Sequence, residues 1–233
     1  MPRKPVPNAL ELRAVRCMRK GIRMGPADAS VPAGGLTVLR GGDSSGKEIL
    51  FRILGLLERA EQGEVFFQGN CLQELDESAL AELRRRHFGY LYAAPFLLPA
   101  FTVIENVVMP MFKILDSDPS DARLRAEELL EFAGVAEYEQ ERAGELPNYE
   151  QRCVALARAL ATEPSVLLVE DLDTELQSEQ RHHFSRLLRG ACQRWGTTII
   201  GTASPVWIAA AGDHVYEVVG GKMEIAPAPL PQS

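Results

Sequence analysis

No two of the four cysteines, Cys17, Cys71, Cys153 and Cys192, stand at CxxC spacing. The sequence therefore encodes neither a zinc site nor a small disulfide framework, and a reducing compartment is expected. Positive charge is also short. Lys and Arg number 25 against 32 Asp and Glu, a formal charge of −7, which removes the global attraction that nucleic acid or an anionic bilayer would need. Long apolar runs are missing too: the longest uncharged stretch, Phe88–Ile104, is broken by Pro95 and Pro99 and falls short of the about 20 residues a spanning helix requires. Met1–Asn8 holds basic residues and prolines but no apolar segment, so it does not read as a cleaved signal. Aromatics are scarce, and none precedes Phe51.

What remains is the composition of a globular chain, 46% hydrophobic and 24% charged over 233 residues, able to bury roughly 70–75% of its unfolded surface. A single domain over residues 1–225 with a Pro-rich tail at 226–233 is expected. Short apolar runs alternate with helical patterns, the signature of a parallel α/β sheet. Gly35–Leu39, Ser165–Val169 and Thr197–Ile200 read as central, fully buried strands. Helices are predicted over Glu48 to about Arg59, Asp121–Gly134 and Glu150–Thr162. Near the end, His214–Val219, Gly220-Gly221 and Lys222–Ile225 form a predicted hairpin. No internal repeat is visible.

Between the first strand and the first helix lies Gly41-Gly42-Asp43-Ser44-Ser45-Gly46-Lys47. This is the G-x-x-x-x-G-K spacing of a phosphate-binding loop, in the strand-to-helix context that its mechanism requires. Backbone N–H groups at a helix N-terminus would cradle a phosphate, and the lysine would add a point charge. An ordinary glycine-rich turn is the alternative reading of the same residues.

From about residue 10 to 223 the chain resembles the nucleotide-binding subunits of ABC transporters, most closely the lipoprotein-release, macrolide-export and cell-division group (LolD, MacB, FtsE). Phe88–Tyr92 and Leu97–Val107 are similar to that group's Q-loop region, and Val154–Leu160 to its signature helix. The resemblance implies a P-loop NTPase of the ABC type: a RecA-like parallel-sheet core, an antiparallel β-subdomain, and a helical subdomain at about 94–160. It also implies a dimer, homo- or heteromeric, that sandwiches ATP with Mg²⁺, and an integral membrane permease partner of the FtsX/LolC/MacB type. The chain is then expected to be cytoplasmic, peripheral to the inner face of the membrane.

Against that resemblance most catalytic positions are replaced. Glu48 follows Lys47 where the family has a magnesium-binding hydroxyl, and it reads either as a metal ligand repelling phosphate or as a carboxylate favouring the helix dipole. Ser44 replaces a glycine. Met18 and Arg19 lie near the adenine-stacking position, and Ala93 stands for the Q-loop glutamine. The signature Leu-Ser-Gly-Gly-Gln is Leu146-Pro147-Asn148-Tyr149-Glu150, in which Pro147 has no N–H, Tyr149 adds bulk and Glu150 adds charge. Asn148 is an expected helix cap with Gln151 three residues on.

The family's Asp-Glu pair is reversed as Glu170-Asp171, which leaves Asp171 a vestigial base about one methylene short of its water. Glu170 could reach Mg²⁺ through water, or the pair could be solvated loop acids. Ser204 stands for the switch histidine, and His182-His183 is expected on an exposed helix face. Phe96, Leu97, Leu98 and Phe101 are the expected permease-facing surface, with helical-subdomain core as the alternative.

Three readings follow. The first is a competent ATPase powering lipoprotein or export-type transport. The second, preferred, is a pseudo-ATPase with a structural or regulatory role on a permease. The third is a binding module that keeps only the partner surface.

Overall fold

The computed structural model describes residues 8–173, 175–207 and 214–225; Met1–Pro7 and the predicted Pro-rich tail lie outside them. Two sheets share the chain. Strands β1 (Asn8–Arg19), β2 (Ile22–Pro32), β4 (Gln62–Phe67) and β5 (Asn70–Cys71) form an antiparallel sheet in the order β2-β1-β4-β5. A six-stranded sheet takes β3 (Leu36–Arg40), β6 (Phe88–Leu91), β7 (Val166–Val169), β8 (Thr198–Ala203), β9 (His214–Val219) and β10 (Lys222–Ile225) in the order β10-β9-β3-β8-β7-β6. Its neighbours pair in parallel except at the β9–β10 hairpin.

The continuous apolar runs are explained by cover on both faces. In β7, Leu167 and Val169 enter one core with helices α3 (Val103–Pro110), α4 (Pro119–Ala133), α5 (Asn148–Leu160) and α6 (Ser178–Trp195). Val166 and Leu168 enter a second core beneath α1 (Lys47–Leu54) and the antiparallel sheet. All four are fully buried, and β3, β8 and β7 occupy interior positions, as the sequence predicts.

The first helix stops at Leu54, well before the expected Arg59. Gly55 caps it, with its N–H on the Phe51 carbonyl, and Leu56 turns the chain away at φ 54°. A Cβ on Gly55 would already press on Leu168 at 3.2 Å, so the close approach to β7 fixes where the helix ends. Helix α4 matches its prediction more closely: the Asp118 carboxylate accepts from Ser120 N at 2.8 Å, and Gly134 closes the helix at φ 72°. Helix α5 departs at its cap. Pro147 is the N-cap and Asn148 is already helical, while Gln151 Nε2 reaches back to the Leu146 carbonyl at 2.8 Å. Helix α2 (Glu77–His87), capped by Asp76, completes the chain order.

Candidate functional site

The phosphate loop leaves β3 at Arg40 and enters α1 at Lys47. Two of its glycines, Gly41 and Gly46, are structural requirements. Gly46 takes φ 95°, which side chains rarely adopt, and a Cβ on Gly41 would lie 2.5 Å from the Val218 carbonyl oxygen. Gly42 has open space where a Cβ would stand, whereas Ser44 keeps negative φ and needs no glycine. The loop is anchored from behind, because Gly221 N in the β9–β10 turn donates to the Ser45 carbonyl at 2.8 Å and Gly221 O accepts from Gly25 N at 2.7 Å.

In front of the loop lies a cavity of about 330 Å³. Gly41, Asp43, Lys47, Glu48, Ala93, Glu170, Asp171, Thr202, Ser204 and Pro205 line it. Positions scattered over 160 residues of sequence are thus brought together where the carboxyl ends of β3, β7 and β8 meet, the usual ligand crevice of an open α/β sheet. One cation faces four carboxylates there. Lys47 Nζ is 2.8 Å from Glu48 Oε1 and 3.5 Å from the Gly42 carbonyl, so Glu48 does more than favour the helix dipole: it holds the loop's lysine.

The strand-end acids are half-buried and line the cavity. Glu170 Oε2 accepts from Ala93 N at 3.2 Å, and Glu170 N donates to the Leu91 carbonyl. Asp171 adopts φ 62° and donates its N–H to Thr202 Oγ1 at 2.9 Å. The Ser204 N–H reaches Asp173 Oδ1 at 3.1 Å and its hydroxyl donates to Asp173 Oδ2. The sequence reading missed this pair, since nothing in the spacing links residues 31 apart.

The profile described as ABC transporter matches residues 25–172, from β2 through the loop to the end of β7. The chain belongs to the ABC transporter family. The lipoprotein-releasing system ATP-binding protein LolD of Paramagnetospirillum magneticum is 38% identical over 84% of this chain and 86% of its own length. The LolD protein of Chromohalobacter salexigens is 35% identical over 86% and 88%. Among solved structures, a dimeric ATP-binding cassette in a post-hydrolysis state with ADP and Pi superposes with a TM-score of 0.80 at 25% identity, covering 92% of this chain and 96% of that one. A cbiO1 cassette from Clostridium perfringens reaches 0.85 at 21% identity over 93% and 87%, a likeness of fold.

The segment expected at the signature position enters α5 and is held by α6. Tyr149 Oη lies 2.5 Å from His183 Nδ1 on α6, and its ring packs against the helical core. His183 is therefore half-buried in a clasp, and only His182 is exposed. Burial raises the Tyr149 hydroxyl pKa and pushes the Cys153 thiol one turn on up to about 12. Arg152, also unassigned from sequence, is buried over the Phe184 ring and donates to the carbonyls of Ala93, Glu170 and Asp171. Burial lowers its pKa, with the negative charge of Asp171 the first opposing influence.

Of the two residues expected near an adenine-stacking position, Arg19 is bound to Glu58 and Glu61, the latter at 2.6 Å, and Met18 is exposed. Phe96 is 69% exposed, and Leu98 and Phe101 are also exposed, while Leu97 packs partly against the helical core. Arg158 holds this segment by the carbonyls of Pro95 and Phe96, each at 2.7 Å. No helix among the described residues is long and apolar enough to cross a membrane.

Proposed function

We propose that this chain is the ATP-binding subunit of a LolD-like ABC complex in which nucleotide is a bound ligand rather than a fuel. One cassette over residues 1–225, with a helical subdomain at about 94–160, pairs with a second ABC subunit and docks from the cytoplasmic face on an integral membrane permease of the FtsX/LolC/MacB type. The observation that carries the reading is the cavity itself. It gathers the phosphate loop, Glu170 and Asp171, yet presents Ala93 and Ser204 where the family places the glutamine and histidine that position water and phosphate. Ser204 is engaged by Asp173, and Asp171 is the shorter acid at the base position. Losing several groups that act as one unit leaves a site that binds without turnover.

The residues fit a nucleotide's phosphates in one respect: Gly41 and Gly46 hold the loop in a backbone path that a side chain at either would disturb, with Lys47 at its end. Among the described residues no group of three or more His, Cys, Asp or Glu is placed to hold a metal. Mg²⁺ would therefore arrive on the phosphates, with Glu48 and Glu170 as its hard oxygen donors, and would neutralise phosphate charge there. Exposed Phe96, Leu98 and Phe101 supply the apolar surface for the permease.

Calorimetry with Mg-ATP and a steady-state hydrolysis assay on one sample, with Lys47→Ala as control, test the reading. Binding that Lys47→Ala abolishes, without turnover, is expected. Turnover lost in Lys47→Ala overturns it in favour of a working ATPase, and no binding at all reduces the loop to a relic.

A further inference from the structure

The lysine of the phosphate loop already has an anion. Its side chain is 8% exposed, and its ammonium is paired at 2.8 Å with the carboxylate of the next residue, Glu48, which is 47% exposed. Neighbours on a helix do not ordinarily face one another. The contact forms because Lys47 is the first residue of α1 and its ammonium turns back toward the Gly42 carbonyl. The other charged groups lining the cavity are Asp43 on the loop and Glu170 and Asp171 at the end of β7; among the described residues no further cation lines it.

A carboxylate joined to the lysine through one peptide unit competes at a far higher effective concentration than any solute. A phosphate entering alone must displace it and then sit among carboxylates of its own sign in a partly dry crevice. A divalent cation on the phosphates reverses the balance. It offers Glu48 a new partner at the position where related loops carry a metal-binding hydroxyl, and it frees Lys47 for the phosphate.

We propose that Glu48 is an internal competitor for Lys47 that makes nucleotide binding conditional on a divalent cation. This rests on the nucleotide-binding reading above. The same carboxylate blocks the metal-free nucleotide and welcomes the metal-bound one, so the site reads the cation as well as the nucleotide. Glu48→Gln keeps the side chain's size but removes its charge; Glu48→Ser restores a neutral hydroxyl.

The test is calorimetric titration of the full chain with ATP in EDTA and with ATP plus Mg²⁺, comparing the wild type with both variants. The wild type is expected to bind ATP at least about tenfold more tightly with Mg²⁺ than without, and metal-free affinity is expected to rise by about tenfold or more in Glu48→Gln and Glu48→Ser. Wild-type binding that ignores Mg²⁺, or variants that keep the wild-type affinities, overturns the inference and leaves nucleotide binding standing. No binding by any of the three proteins in either condition overturns nucleotide binding itself, and this inference with it.

Discussion

Arg152 joins three segments that the sequence keeps far apart. Its guanidinium is buried and serves the carbonyls of Ala93, Glu170 and Asp171 together. Removing it strands those carbonyls. Arg152→Met is expected to lower unfolding free energy by about 2–4 kcal/mol, read from the urea midpoint. Arg152→Lys restores only part of this, because one ammonium cannot reproduce the planar fork. Gly46→Ala tests the loop in the same assay: with φ at 95° the substitution is expected to cost about 1–2 kcal/mol. At this scale the sequence displayed the phosphate loop completely, since its signal is local spacing. It did not display the Lys47–Glu48 pair, because a carboxylate beside a lysine on a helix has several ordinary partners and only the turned-back ammonium selects one. Nor did it display Ser204 with Asp173, whose partnership exists only once β7 and β8 lie side by side.

Helix α5 begins at the segment expected at the signature position. Tyr149 and His183 fasten its first turn to α6, and Tyr149→Phe is expected to cost about 0.5–1.5 kcal/mol in thermal or urea unfolding. The buried Cys153 thiol one turn on adds a pH dependence. It ionises near pH 12 when folded, against 9.0 as the ordinary value. A raised pKa means that the stability is fully present below about pH 9 and is lost as pH climbs toward 12, at up to about 1.4 kcal/mol per pH unit. Urea titrations from pH 8 to 11 are expected to show this fall, with a shallower slope in Cys153→Ala. Elements were legible where one physical rule dominated. Strands β3, β7 and β8 are covered on both faces and read as unbroken apolar runs, and α4 carries its own caps. Strands β1 and β2 did not stand out as a pair, because register shifts between Leu12 and Val15 and between Val15 and Cys17 break the alternation that marks a half-buried strand.

For the whole molecule, Phe96, Leu98 and Phe101 put three exposed apolar side chains within six residues of chain. Phe96→Glu and Phe101→Glu are expected to abolish co-purification with the proposed permease while leaving the melting temperature within a few degrees, since both side chains are exposed. Leu97→Glu is expected to lower that temperature as well, because Leu97 packs on the helical core. Retained co-purification in the first two variants would remove this segment from the partner contact. The four thiols give a second global check: only Cys71 is exposed, so a thiol reagent is expected to label one cysteine rapidly in the native chain and four in denaturant.

Arg152 and Arg158 sit on one helix and grip the main chain at Ala93, Pro95 and Phe96. A segment hung in this way by its carbonyls travels with the helix that holds it, like a pedal on a crank. Of the two guanidinium groups that hold the segment, that of Arg152 also holds the carbonyls of Glu170 and Asp171. The apolar segment and the cavity lining thus share one support, a single helix that holds both by their main chains.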